Sequence, residues 1–506
     1  MKTIGFDNEK YLREQTAEIG RRVQQFGNKL YLEFGGKLVH DFHAARVLPG
    51  YDPNVKLRLL QELRDQAEMV ICIYAGDIER KKMRADFGIS YDADAMKLID
   101  ELRDRGLCVR AVVITRYDGQ PTAKQFRTKL ERRGVAVYCH RATRGYPTDI
   151  ATIVSEEGYG ANPYVPTERP LVIVTGPGPG SGKLATCLTQ LYHDGQAGRA
   201  AGYAKFETFP IWNLPLKHPV NIAYEAATAD LHDINMIDPF HLEAYNQATV
   251  NYNRDIETFP LLRAIWESIT HQACPYRSPT DMGVNRVGFG IMDDGVVRAA
   301  ARQEVIRRYF RHACEYAMGG TERETVAREE LLLNESGLTP EDRSVVRPAR
   351  KAAEAALASG AAECKRAFCG AAIELADGRI VTGKNSDLMH AAASVVLNAI
   401  KLLAGVPDNI HLLSPDVIRA IARLKHDILQ GRNPSLNLDE ALIALAISSA
   451  GNPTAHAAME HLRDLRECEM HLTHLVTPGD EAGLRRVGIR HTSDPQFASA
   501  DLFMHT

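Results

Sequence analysis

Through the first 225 residues, short aliphatic runs take turns with amphipathic segments, and this alternation restricts the fold more than any other feature. "KLYLEFGG", "MVICIYAG", "CVRAVVIT", "VAVYC" and "PLVIVTG" are strand-like. "NVKLRLLQELRDQ", "DADAMKLIDELRDRG" and "PTAKQFRTKLERRG" have helical spacing. Unbroken apolar runs separated by amphipathic helices indicate a parallel sheet covered on both faces. Residues 1–225 are therefore expected to form a doubly wound α/β domain with a mostly parallel sheet. Ligands of such sheets sit beyond the carboxyl ends of the strands.

From 226 to 330 the strand signals fade. "DPFHLEAYNQATVNYNRDIETFPLLRAIWESI" and "DDGVVRAAARQEVIRRYFRHACEYAM" read as helices, with the loop "RSPTDMGVNR" between them. This part is expected as a helical middle domain. Residues 331–506 are expected as a third, α/β or α+β domain. It contains the hairpin "AAIELADGRIVTG", whose Asp377-Gly378 pair is a strong turn signal. A chain of 506 residues is indeed too long for one ordinary core. Its 25% charged and 45% hydrophobic residues are a globular balance. The net charge of -3 supplies no basic field for nucleic acid or an anionic membrane. No apolar run reaches the roughly 20 residues of a membrane span. The start "MKTIGFDNEKYLREQ" has no signal-peptide core, so a cytoplasmic location is expected. Nine cysteines without a C-x-x-C pair agree with a reducing compartment.

The stretch "LVIVTGPGPGSGKLAT", 171–186, resembles a phosphate-binding P-loop, G-x-x-x-x-G-K-[ST]. Gly182-Lys183 supplies the final pair. Five residues earlier stands Pro177 rather than glycine, and Leu184 occupies the place of the magnesium-binding hydroxyl. Pro177 and Pro179 also remove two N–H donors. What remains is a glycine segment opening a helix near Lys183. A helix N-terminus offers free N–H groups and partial positive charge. Gly178, Gly180, Ser181, Gly182, Lys183 and Thr186 are the candidate phosphate-binding residues. No Walker-B aspartate follows, so standard ATP hydrolysis is not expected. Arg141 and Arg144, after the preceding strand, are candidate further contacts, since guanidinium forks suit phosphate. Asp281, Asn285 and Arg286 of the 277–286 loop are candidates for closing over the other end of a ligand.

No metal centre is expected. His40, Asp41 and His43, and again His232, Asp233, Asp238 and His241, lack the i, i+4 spacing of paired ligands, and caps and turns explain these aspartates. Cys468, His471 and His474 lie in a strand-like run, where residues three apart face opposite ways. No G-x-S-x-G elbow is present.

The stretches "GPGPGSGKLATCLTQLYH", "INMIDPFHLEAYNQATVNYNRDIE", "SPTDMGVNRVGF" and "CEMHLTHLVTPGDEAGLRRVGI" resemble, end to end, an uncharacterised bacterial family. It is domain-of-unknown-function family 1846, or uncharacterised protein family 0371. The resemblance implies a multidomain bacterial protein and no established reaction. Locally, "GAAIELADGRIVTGKNSDLMHAAASVVLNAIKLLAG" is similar to cytidine-deaminase-like folds, with a hairpin followed by a helix bearing the first zinc ligand. Those enzymes carry H-x-E and later P-C-x-x-C. His390 stands at the ligand position, but Ala392 replaces the glutamate. "SPDVIR" offers Pro415 with Asp416 and Arg419 where cysteines belong. The likeness thus implies a deaminase-like fold without zinc and without deamination.

The function expected from these residues is binding of a phosphorylated small molecule or nucleotide at the degenerate loop. The reaction, catalytic base and cofactor are not encoded in any motif. The rival expectation is a non-catalytic scaffold or oligomeric binding protein whose loop merely turns the chain. A homo-oligomer suits a chain of this size, and no feature sets its number.

Overall fold

A computed structural model describes residues 4–84, 87–358, 368–431 and 433–499. The chain forms two compact units, Met1–Ala301 and Arg302–Thr506.

In the first unit, β1 (Leu30–Phe34), β2 (Ala67–Tyr74), β3 (Cys108–Thr115), β4 (Val137–Cys139), β5 (Leu171–Thr175) and β6 (Gly202–Phe206) form one sheet. Their order is β4-β3-β2-β5-β1-β6, and every pairing is parallel. These are the five aliphatic runs of the sequence plus "GYAKF". β1 and β5 are buried along their whole length, as the unbroken runs require. The helix α1 (Asn8–Gln25) precedes the sheet. α2 (Tyr91–Asp104) links β2 to β3, and α3 (Lys183–Gln196) links β5 to β6. These two crossovers run in opposite directions along the sheet. Crossovers of one hand then place their helices on opposite faces. The core beneath α3 contains Cys187, Leu188 and Leu191 with Val70, Cys72, Val172 and Val174, and no residue of α2. The helix α4 (Asn253–Thr270) adds Phe259, Leu262, Ile265 and Trp266 to this same core.

The segment read as one helix from Asp238 onward is broken. A short helix, Pro239–Tyr245, ends at Asn246 in a left-handed conformation (φ 52°). β8 (Val250–Tyr252) then pairs antiparallel with β7 (Asn235–Ile237) before α4 begins. Asn246, Thr249 and Asn253 therefore do not share one helix. Residues 226–301, expected as the start of a separate helical domain, belong to the first unit.

In the second unit, β9 (Gly370–Glu374) and β10 (Ile380–Lys384) form the expected hairpin around Asp377-Gly378. With β11 (Glu469–Leu472) and β12 (Arg490–Ser493) they make a mixed sheet, ordered β10-β9-β11-β12. β9 is antiparallel to β10 and β11, while β11 and β12 are parallel. α5 (Ala391–Leu403), α6 (Leu438–Ser449) and α7 (Pro478–Val487) share a core with the sheet, built from Val395, Val396, Ile400, Leu445, Leu472 and Leu484.

Candidate functional site

β2 and β5 are neighbours, yet the chain leaves them toward opposite edges of the sheet. Loops that part in this way open a crevice at the carboxyl ends of the strands. The glycine segment 176–182 lies there. Gly182 is the N-cap of α3 and has a left-handed backbone (φ 89°), a conformation that glycine adopts without strain. A Cβ at Gly178 would stand 2.4 Å from the Tyr91 hydroxyl, so the segment lies directly on the first residue of α2. Its oxygens are tied down. Thr115 Oγ1 donates to the Ser181 carbonyl at 2.8 Å, and the Arg116 guanidinium donates to that of Gly180. Lys183 Nζ reaches the Gly178 carbonyl and Ser181 Oγ, both at 3.4 Å. The Pro179-Gly180 turn, with Gly180 left-handed (φ 69°), directs the Ser181 N–H to the Gly178 carbonyl; among the described residues, no acceptor takes the N–H of Gly178, Gly180, Gly182 or Lys183. Apart from that turn, the internal bonds of the loop use its oxygens and leave the amides of Gly178, Gly180, Gly182 and Lys183. Free amides at a helix start, with two full positive charges beside them, attract an anion.

The other candidates are distributed unevenly. Thr186 is fully buried; its Oγ1 donates to the Gly182 carbonyl at 3.0 Å and accepts from Cys72 Sγ at 3.3 Å. It anchors the first turn of α3. Arg141 and Arg144 follow β4 at the far edge of the sheet. Arg144 pairs with exposed Glu157, and the Arg141 amide donates to Asn162. The arginine at the loop is Arg116, directly after β3, whose guanidinium lies 3.5 Å over the Tyr74 ring. The sequence reading missed it, although it occupies the position after a strand that had been identified.

A second polar centre stands at the end of β6. Lys205 Nζ donates to Asp255 and to Tyr252 OH, both at 2.5 Å, and lies 3.0 Å from Glu207. Tyr252 OH donates to Glu207 at 2.8 Å. Burial alone would lower the Lys205 ammonium, but Asp255 and Glu207 outweigh it and hold the group well above its usual range. For Glu207, burial and the neighbouring Asp255 carboxylate prevail over Lys205 and raise the carboxyl to about 7. A carboxyl poised near neutrality can take up or release a proton in the working range of pH. The centre lines a cleft of about 350 Å³, mouth included, with Trp212, Asn251, Thr280 and Asn285 on its walls. The sequence signal was a lysine and a glutamate two apart in "YAKFETF", on one face of an otherwise apolar strand end. Asp255 and Tyr252 come from α4 and β8 and could not be paired with them by spacing.

The 277–286 loop reaches this cleft along the free edge of β6, where the Val284 amide donates to the Lys205 carbonyl at 2.8 Å. Buried Asp238 holds the loop by accepting from the Thr280 amide and hydroxyl. Asn285 lines the cleft, its Nδ2 bonded to the Thr208 and Pro210 carbonyls. Asp281 and Arg286 do not line it. Asp281 accepts from Tyr245 OH and the Arg277 amide, while Arg286 pairs with Glu18 of α1 at 2.6 Å. Of the earlier histidine and aspartate clusters, Asp41 pairs with fully buried Lys56 at 2.7 Å, and His241 bonds to Ser278. His471 bonds to Thr492. Among the described residues, no group of three His, Cys, Asp or Glu side chains is arranged to hold a metal ion.

In the second unit His390 is the N-cap of α5. Its Nδ1 bonds to Asp480 of α7 at 2.7 Å and its Nε2 to Asn433 at 2.9 Å. Asp416 and Arg419 are exposed and pair with each other, while His390 is bonded to Asp480 and Asn433.

Comparison with known proteins gives full-length matches. A family model described as "Domain of unknown function DUF1846, N-terminal" matches residues 4–337, and its C-terminal counterpart matches residues 341–503. A UPF0371 protein of Clostridium botulinum (strain Eklund 17B / Type B) is 57% identical over 501 residues, covering 99% of each chain. One of Clostridium tetani (strain Massachusetts / E88) is 55% identical over 500 residues, again covering 99% of each.

Proposed function

The chain belongs to the DUF1846 family, whose description assigns no reaction, and from that premise we propose that the carboxyl edge of its parallel sheet binds a small phosphorylated molecule. The phosphate lies on Gly178, Gly180, Ser181, Gly182 and Lys183, with Thr186 fixing the helix turn beneath and Arg116 assisting. The observation that supports this reading is that the amides of Gly178, Gly180, Gly182 and Lys183, around the start of α3, have no protein acceptor among the described residues. Leu184, where a hydroxyl would hold magnesium, argues for binding rather than P-loop hydrolysis. Titration calorimetry with inorganic phosphate, nucleotides and sugar phosphates tests it. Lys183→Ala is expected to weaken every phosphate-containing ligand about tenfold, or ~1.4 kcal/mol. Identical responses from wild type and variant to the whole panel would remove the phosphate role.

A different observation supports a deaminase-like layout without zinc in the second unit. His390 caps the helix after a hairpin, as the first zinc ligand of those enzymes would, and its Nδ1 is occupied by Asp480. On this reading a hydrogen bond replaces the metal between two helix starts. Protein incubated with zinc and then dialysed is expected to retain only substoichiometric metal, unaffected by His390→Ala; one tightly held zinc lost in that variant would contradict the layout.

A further inference from the structure

We propose that the cleft beside β6 is the subsite for an uncharged, hydroxyl-rich group of the same ligand, so that the ligand is a sugar phosphate. This rests on the phosphate reading of the glycine segment and adds the chemistry of the other end.

Charge comes first. Lys205 stands between Asp255 and Glu207, so its charge is taken up by carboxyl groups and the cleft offers an anion no net positive charge. The phosphate therefore stays at the loop, and the far end of the ligand bears no acid. Hydrogen-bonding capacity comes second. Glu207 and Asp255 present acceptors. Asn251, only 8% exposed, accepts the Tyr252 amide with Oδ1 at 2.9 Å, while its Nδ2 carries no protein bond among the described residues. A hydroxyl both donates and accepts, so a row of hydroxyls satisfies carboxylates and amide together. An apolar group would strand these polar atoms. Apolar surface comes third: Trp212 and Pro279 are among the residues lining the cleft and supply carbon surface against which the C–H face of a sugar ring can pack.

The span is suitable. β5, which carries the glycine segment, and β6, which carries Lys205, are separated only by β1. Two strand spacings amount to roughly 10 Å, a distance covered by a pentose or hexose phosphate. Glu33 of β1 pairs in register with both Val174 and Lys205 and lies between the two subsites. Its Oε2 accepts from Tyr203 OH at 2.7 Å.

The test uses the full chain and two readouts. Calorimetry compares inorganic phosphate, ribose 5-phosphate, glucose 6-phosphate, ribose and glucose. Emission is recorded in parallel, because Trp212 is one of only two tryptophans and the other, Trp266, is buried. At least one sugar phosphate is expected to bind about tenfold tighter than inorganic phosphate and to change the emission. Asn251→Ala is expected to abolish that advantage while leaving phosphate affinity unchanged, and Trp212→Leu to reduce it several-fold and remove the emission change. Lys183→Ala is expected to weaken both classes. Sugar phosphates binding no tighter than phosphate itself would overturn this inference and leave the phosphate reading standing. No binding by any phosphate compound would overturn both.

Discussion

Gly182 holds a left-handed backbone, and a Cβ there would stand 2.7 Å from Thr115 Cγ2. Gly182→Ala is expected to lower stability by about 1–3 kcal/mol, read as a shift in the urea midpoint, because both the conformation and the contact oppose a methyl group. It is also expected to weaken phosphate binding by turning the neighbouring amides. At this scale the glycine segment was legible, because a strand, glycines and a helix start are consecutive in sequence. The lysine cluster was not. Asp255 is 50 residues from Lys205, and a polar residue on a helix face reads by itself as solvated surface. Arg141 and Arg144 follow the edge strand β4, and the strand order puts Arg116, after β3, nearer to the loop.

At the level of elements, the aliphatic runs identified the parallel strands, because a strand buried on both faces must be apolar throughout. The break between Tyr245 and Asn253 was hidden, since a three-residue strand is too short to impose period-two alternation and its neighbours continued a helical spacing. Asp480 shows how elements are joined without a metal. It is fully buried and accepts from His390 at the start of α5, from the Leu438 amide at the start of α6, and from Thr477 at the start of α7. Asp480→Ala leaves these buried donors without an acceptor. It is expected to cost about 2–4 kcal/mol in thermal or urea unfolding, and Asp480→Asn, which keeps an acceptor, less.

Across the whole molecule, stability is expected to fall on acidification. Burial lowers the imidazoles of His140 in the first unit and His474 in the second from 6.5 to about 4. Below pH 6.5 the unfolded chain binds protons that these folded sites refuse, so their contribution is complete above 6.5 and is lost down to about 4. The loss is on the order of 3 kcal/mol per site. In Glu469, Arg307, Arg343 and Arg490 overcome burial and hold the carboxyl at about 2, so its contribution disappears at still lower pH, between 4.5 and 2. Glu207, raised to about 7, acts in the opposite sense between pH 7 and 4.5, but the histidines outnumber it. Melting temperatures are therefore expected to show a net decline from pH 7 to pH 4, and His474→Asn to flatten the slope; a flat profile in the wild type would contradict this. The strand order also dictates a sequence of events during synthesis. β1 and β2 emerge first, but the seat between them is filled only by β5, about a hundred residues later on the ribosome. Until then β1 has no neighbour in the sheet and a nascent chain shows bare edges, the kind of surface that invites aggregation. Residue 175 closes that gap, and the next residues to leave the exit tunnel are the glycines themselves, whereas β6 and the walls of the second cleft emerge only later in translation.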